Sequence, residues 1–403
     1  MRKADIDVPL AITAFSLLLF GIIMISSVSV YESHQHTSTL VAKGILDVPN
    51  NSFYLWGHFW RALISIPFWI FAIYFPLKFW KNISLPFFVT CILLLVAVLI
   101  PGIGSDYGTS KSWIDVAFLP SIQPVEIMKL ALVFYLAVWM EKRQELVRSF
   151  QYGFIPFTIL LSVVLFLLAL QPDFGSILVI VMVAASMFFV AGGSLLHIGL
   201  GAFIASIIVL PVILIFDRFQ YVIERFMTFI HPNTDVLGFG FQIKQALIAV
   251  GNGGFFGVGF GKSIQKFGYL PEVQSDTIFA AASEELGFIR IIFLVLAYAI
   301  IAYRGYLIAG KAKDRFSMLV AVGIASWFTF QAIINMGVTL AILPNTGITL
   351  PFVSYGGTSL TVTMLAVGIL LNISRYAQEG THFASRRRVR RSYHSQPRRR
   401  LGH

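Results

Sequence analysis

Residues 270–287 read LPEVQSDTIFAAASEELG. Four carboxylates, Glu272, Asp276, Glu284 and Glu285, fall within fourteen residues at the head of an apolar run that continues to about residue 303. The chain of 403 residues has only 19 acids, so this is a concentration. A carboxylate among hydrocarbon costs about 2.5–3.5 kcal/mol on insertion scales. A chain that keeps four there is using them, and the run they precede is a membrane span.

Working outward, 57% of the residues are hydrophobic and 12% charged, against about 25% charged in soluble domains. The fold class is therefore all-α and polytopic. Hydropathy predicts ten spans near 8–30, 56–77, 83–101, 123–141, 153–171, 175–193, 197–217, 277–303, 316–341 and 350–374. Arg2 and Lys3 precede a run too long for a signal-peptide core, so it reads as the first span. The single cysteine, Cys91, excludes an intramolecular disulfide.

Lys and Arg set the orientation. With both termini cytoplasmic, Lys78, Lys81, Lys142, Arg143, Arg148, Arg304, Lys311, Lys313 and Arg315 lie inside. Lys43, Lys111, Arg218, Arg225, Lys244, Lys262 and Lys266 then lie outside, mostly in one long loop. The acidic cluster falls at the external surface. From Arg375 onward nine Arg and one Glu supply +8 of the net +11. Residues 1–375 thus read as a membrane domain with an extracytoplasmic loop at 218–276, and 376–403 as a disordered basic tail held near anionic lipid. Such a tail suits membrane lipids and cytoplasmic partners, and not nucleic acid.

The long loop has internal grammar. Arg218–Ile230 has apolar residues at helical spacing with Arg218, Glu224 and Arg225 on its polar side, an interfacial helix ended by Pro232. GNGGFFGVGFGKS at 251–263 lacks the spacing and the preceding strand of a phosphate-binding loop. It reads as a tight re-entrant or cavity-lining segment, since irregular backbone at membrane depth survives only where protein or water satisfies it.

Several polar residues stand where chemistry is expected. Glu126 and Lys129 share a helix face after Gln123-Pro124, either as a pair pinning the helix or as the charged wall of a cavity that binds an anion. Asp173 in QPDFG suits a helix cap. Gln331 and Asn335 lie on one face of the ninth span, placed for interhelical hydrogen bonds. LPNTGITLPFVSYGGTS at 343–359 specifies a rigid shape, and Ser354 within it has no base nearby to make it a nucleophile. Asp276 precedes the eighth span either as an N-cap or as a working carboxylate. At least one of Glu284 and Glu285, two turns on, is expected to face inward near it.

The stretches SIQPVEIMKLAL (121–132), QPDFGS (171–176), GFQIKQALIAVGNGGFFGVGFGKSIQKFGYLPEVQSDTIFAAASEELGF (240–288) and NMGVTLAILPNTGITLPFVSYGGTSL (335–360) resemble the signatures of the SEDS family (shape, elongation, division and sporulation). The likeness runs in order over nearly the whole length, nearer the FtsW-like branch than the RodA-like one. It implies an inverting glycosyltransferase of the bacterial plasma membrane that polymerises lipid II into peptidoglycan strands at the outer face during cell division. It implies release of undecaprenyl pyrophosphate and work beside a class B penicillin-binding transpeptidase and other division proteins.

Asp276 matches the family's essential aspartate, and Glu126 and Lys129 match its Glu and Lys after Gln-Pro. Two positions depart: Gln274 stands where the family usually has His, and Ser112 precedes Trp113 where Arg is common, with Lys111 one residue back. A sugar hydroxyl needs a carboxylate to take its proton, so Asp276 is the expected catalytic base. Glu126, Lys129, Lys111, Trp113, Asp173, Gln245, Lys266, Glu272, Glu285 and Ser354 are the expected substrate contacts. The pyrophosphate's charge would be met by Lys129, Lys111, Lys262 or Lys266, or by a divalent cation (Mg or Mn) held by acids. A lipid II flippase or other transporter, an inactive scaffold for the transpeptidase and a RodA-like elongation polymerase are the alternatives.

Overall fold

The computed structural model describes residues 6–107, 110–115, 121–215, 219–231 and 238–376. Arg2, Lys3, Arg218, Pro232 and the tail from residue 377 lie outside them, as does the side chain of Lys111. Thirteen α-helices carry the fold. They are α1 (Val8–Val28), α2 (Val30–Ala42), α3 (Phe53–Tyr74), α4 (Leu77–Val98), α5 (Pro124–Lys142), α6 (Ile155–Leu170), α7 (Phe174–Val190), α8 (Leu195–Ile215), α9 (Gln220–Ile230), α10 (Phe239–Gly253), α11 (Ile278–Gly310), α12 (Arg315–Thr339) and α13 (Gly357–Arg375).

Ten of these helices, all except α2, α9 and α10, fall on the ten expected spans. The protein is a multi-pass membrane protein. Large apolar side chains such as Trp60, Leu93, Phe166 and Phe293 point outward, as they must where the surroundings are lipid. The core is built by α5, α12 and α13, whose faces are closed by Leu130, Phe134, Trp327, Phe328, Leu370 and their neighbours. Around it α3 packs along α13, α4 along α5, α7 against α12, and α1 and α10 against α11.

Sequence chemistry starts the helices where expected. Asp7, Asp173 and Asp314 accept backbone N–H bonds from Leu10, Ser176 and Ser317 at the starts of α1, α7 and α12. Proline opens α5 at Pro124, where no N–H is needed. Helix α9 forms where expected, with Glu224 exposed, but Arg225, expected on the polar side with it, is half-buried against Phe239 while Phe226, Met227 and Ile230 are exposed.

Two features were not expected. The segment after α4 forms an antiparallel hairpin, β1 (Gly104–Tyr107) with β2 (Ser110–Ile114). The eighth span is also broken: Gly287 has φ 75° and ψ 172°, splitting α11 into a short leading piece and a long membrane-crossing piece. The freed backbone groups are met by the Gly-rich segment. Val258 and Gly259 donate to the carbonyls of Glu284 and Glu285 (3.0 and 3.1 Å), and Phe288 and Ile289 donate to Gly254 and Phe255 (2.8 and 3.1 Å). A Cβ at Gly287 would overlap the backbone nitrogen of Gly257, so both the conformation and the approach require glycine. Residues 251–253 close α10, and the irregular stretch after them pairs its backbone with the break while Phe255, Phe256 and Phe260 stay exposed.

Candidate active site

The turn before α11 sets the site. Helix α11 begins at Ile278 with Thr277 as its cap, and no side chain caps it. The N-cap role considered for Asp276 is therefore not the one it fills. The turn is held from outside: Tyr355 donates its N–H to the Gln274 carbonyl (2.8 Å), Ser354 donates its hydroxyl to the Ser275 carbonyl, and Asn335 Nδ2 donates to the Asp276 carbonyl (2.7 Å). Glu272 sits at φ 51°, a costly conformation for a residue with a side chain. Such strain persists where the surroundings over-determine the backbone.

So held, the half-buried Asp276 carboxyl faces a narrow cleft between α10, the end of α12 and the 345–348 loop. Gln242 Nε2 lies 3.5 Å from Asp276 Oδ2 and is itself fixed by Asn345, whose Nδ2 donates to Gln242 Oε1 (2.7 Å). Arg225 on α9 reaches the Asn345 carbonyl (3.4 Å) and lies over the Phe239 ring at 4.6 Å. Burial pushes the Asp276 carboxyl up to about 7, with the charge of Glu272 adding to it. Its backbone hydrogen bond, Gln242 and Arg225 pull the other way but do not cancel the rise. Burial likewise raises Asp173, whose Oδ2 is enclosed and unpartnered among the described residues. It lowers Arg225, against the pull of Tyr221, Asp276 and Asp173.

A second polar locus lies deeper. Lys129 Nζ is 2.7 Å from Glu126 Oε1 and 2.8 Å from Gln331 Oε1, and 4.9 Å above the Trp327 ring. Glu126 and Lys129 are each 4% exposed, and Glu126 Oε2 has no hydrogen-bond partner among the described residues. Removing one member strands a buried charge at a cost of about 3–5 kcal/mol. Thermal unfolding in detergent should therefore find Glu126→Gln with Lys129→Met more stable than Lys129→Met alone. Simple additivity of the two single effects would mean that the pair is solvated.

The other expected contacts divide. Asp173 caps α7 beside the 346–348 loop, where Gly175 leaves no room for a Cβ against Ile348 and Thr346. Glu272 is exposed at the rim, and its carboxylate accepts from Ser275 Oγ (2.9 Å). Trp113 lies in β2 and Gln245 on α10, each half-buried, and Lys262 is exposed in the Gly-rich segment.

Four placements differ from expectation. Lys266 and Glu285 do not face a substrate space but each other: Lys266 Nζ lies 3.0 Å from Glu285 Oε1, with Ser27 Oγ 2.6 and 2.8 Å from the two carboxylate oxygens. Lys266 also donates to the Gly261 carbonyl (2.7 Å). At least one of Glu284 and Glu285 was expected near Asp276, and Glu284, like Glu285, is engaged elsewhere: it accepts from Ser263 Oγ and the Gln265 backbone N–H. Ser354 is buried as the tie described above. For the two glutamates the reason is shared: the half-helix before Gly287 turns them toward Ser263 and Lys266.

Three groups that sequence reasoning did not assign to the site belong here. Gln242 and Arg225 flank Asp276 directly. Arg61, in the third turn of α3, lies 4.3 Å above the Tyr355 ring, and its Nε is 3.2 Å from where a Cβ of Gly357 would be. That places a cation at the start of α13, a helix whose cap Gly356 offers no side chain. Nη1 of Arg61 and both ring nitrogens of the fully buried His58 have no partner among the described residues. Positive charge at a helix N-terminus is unfavourable by itself, and an anion placed there would offset it. An arginine inside an apolar span was the available signal.

A divalent ion fits less well. Glu272 and Asp276 are the two nearby carboxylates, and among the described residues no three His, Cys, Asp or Glu side chains group as ligands.

The family model described as cell cycle protein, covering FtsW, RodA and SpoVE, matches residues 8–379. The chain is 40% identical over 388 residues to the stage V sporulation protein E of Bacillus subtilis, covering 94% of this chain and 99% of that one. It is 36% identical over 374 residues to a probable peptidoglycan glycosyltransferase FtsW of Trichlorobacter lovleyi, covering 93% and 94%. Among solved structures, it superposes with a TM-score of 0.74 at 23% identity on a chain from "Structural coordination of polymerization and crosslinking by a peptidoglycan synthase complex", covering 93% and 99%. The rod shape determining protein RodA of Thermus thermophilus gives 0.66 at 23%, covering 93% and 98%.

Proposed function

The chain belongs to the FtsW, RodA and SpoVE family of cell cycle proteins, and from that membership we propose how its site works. The protein is a peptidoglycan glycosyltransferase, a membrane enzyme that joins lipid-linked sugar units into glycan. Its substrate is lipid II, and the reaction takes place at the outer face of the plasma membrane, with both termini cytoplasmic. The acceptor's hydroxyl attacks the anomeric carbon of the donor. The new C–O bond forms as the bond to the pyrophosphate breaks, and undecaprenyl pyrophosphate leaves with the electron pair. Asp276 takes the hydroxyl proton. An α-linked diphosphate becoming a β-linkage is an inversion, which needs one carboxylate on the acceptor side.

The observation that carries this reading is the placement of Asp276: its turn is held by Tyr355, Ser354 and Asn335, and its carboxyl faces a cleft beside Gln242, with burial pushing it up to about 7. A base with a pKa close to the working pH is the efficient one. Lys129, Arg225 and Arg61 supply positive charge for the leaving pyrophosphate. A transpeptidase that cross-links the product, of the class B penicillin-binding type, is the expected partner.

Purified protein given lipid II in detergent tests the reading, because no membrane side exists there to be crossed. Glycan strands are the expected product, and the rate should climb as pH rises through about 7 and level off above. A protein that makes no glycan in detergent but moves lipid II across vesicle bilayers is a transporter.

A further inference from the structure

At the end of the bundle opposite Asp276, the close of α7, the start of α12 and the turn before α6 enclose a cavity of about 440 Å³. That is within the range of small-ligand sites, roughly 300–1,000 Å³. Two arginines line it, Arg148 and Arg315, with Gln144 and a single acid, Glu145. The Arg315 guanidinium donates through Nη2 to the carbonyl of Ala191 at the end of α7, while its enclosed Nε has no partner among the described residues. Arg148 is exposed and forms no ion pair among the described residues; its Nε is 3.6 Å from the place a Cβ of Gly192 would take. Gly192 has φ 100°, so a residue with a side chain is disfavoured there.

Glu145 can offset only one of the two arginines and forms no ion pair with either among the described residues, and the next acids are engaged elsewhere. Glu141 is paired with Lys81 at 2.6 Å, and Asp314 is occupied with Ser317 at the start of α12. Val190 (40% exposed) lines the cavity, and Leu146 (47% exposed), Phe150 and Leu196 (77% exposed), a few residues along the chain from its lining, are outward-facing apolar side chains. A basic pocket with a hydrocarbon-facing rim has the form of a site for a phosphate that carries acyl chains.

We propose that this cavity binds the phosphate headgroup of an anionic phospholipid, with Arg148 and Arg315 on the phosphoryl oxygens and the acyl chains lying along Leu146 and Leu196. In the orientation given above, this is the cytoplasmic leaflet. The site is separate from the glycan chemistry, so it stands whether or not that reading holds.

Full-length protein in mixed phosphatidylglycerol and phosphatidylcholine micelles, read by native mass spectrometry, tests it. The intact protein should retain phosphatidylglycerol selectively. Arg148→Gln, an exposed substitution, should weaken that retention about fivefold, the loss of one surface charge contact. Lys311→Gln, which removes an exposed charge at the same end but outside the cavity, should change it less than twofold. Equal retention of the two lipids, or equal effects of the two substitutions, overturns the proposal. Displacement of the lipid by millimolar inorganic phosphate also overturns it, since the site would then serve a free anion. Polymerisation by Arg148→Gln should match that of the parent protein and so confirm a folded sample.

Discussion

Asp276→Asn is expected to insert, fold and still bind lipid II while polymerisation falls by at least about 10²-fold, within the 10²–10⁴ that a positioned base contributes. The amide keeps the shape of the side chain and can still meet Gln242, but it cannot take a proton from a sugar hydroxyl. The turn does not depend on the carboxylate, because Tyr355, Ser354 and Asn335 hold it through backbone carbonyls.

Stability should move the opposite way from activity. The folded protein holds the Asp276 proton more tightly than an unfolded carboxyl near 3.8 does. The group's stabilising contribution is thus complete below about 4 and is lost as pH rises through about 7. Above pH 7 the parent protein therefore carries a half-buried charge that Asp276→Asn lacks. Thermal unfolding at pH 8 should find the variant at least as stable as the parent. A folded Asp276→Asn protein that makes glycan at near-parent rates removes Asp276 as the base and shifts the role to Glu272.

Much of this architecture could be read from residues alone, and the misses have physical reasons. Apolar runs reveal spans because backbone groups in lipid must bond within a helix, and ten such runs became ten helices. The break at Gly287 could not be read the same way. Phe288–Phe293 continues the apolar pattern apart from Arg290, and a lone glycine is tolerated in a helix at about 1 kcal/mol. What breaks the helix is the arrival of Gly257 from another segment. The same arrival explains Glu284 and Glu285: helical spacing says that adjacent residues point different ways, but not which segment will cover each. Arg225 was visible as a charge in the orientation count and on the polar side of an interfacial helix, and its place beside Asp276 depends on α9 packing against α10. Lys129, by contrast, was legible, because an ion pair at i, i+3 inside an apolar helix needs no distant partner to be noticed.

Lys266→Met is expected to be the most destabilising of the single changes outside the core. It leaves Glu285, 0% exposed, without its cation at a depth where water cannot replace it. Breaking such a pair costs about 3–5 kcal/mol, a large share of a typical folding free energy of about 5–15 kcal/mol. Glu285→Gln should cost less, since Gln can still accept from Ser27, though it strands Lys266. The double change Lys266→Met with Glu285→Gln should recover most of the lost stability, as thermal unfolding in detergent would show.

Activity then separates two roles for the pair. If Lys266 and Glu285 only clamp the Gly-rich segment onto the break at Gly287, the double variant should regain polymerisation together with stability. If Lys266 instead reaches the pyrophosphate during turnover, the double variant will fold and remain inactive. The geometry favours the clamp: Lys266 already spends its donors on Glu285, Ser27 and the Gly261 carbonyl. A cation with all three of its hydrogens engaged has none left for a substrate unless that network opens.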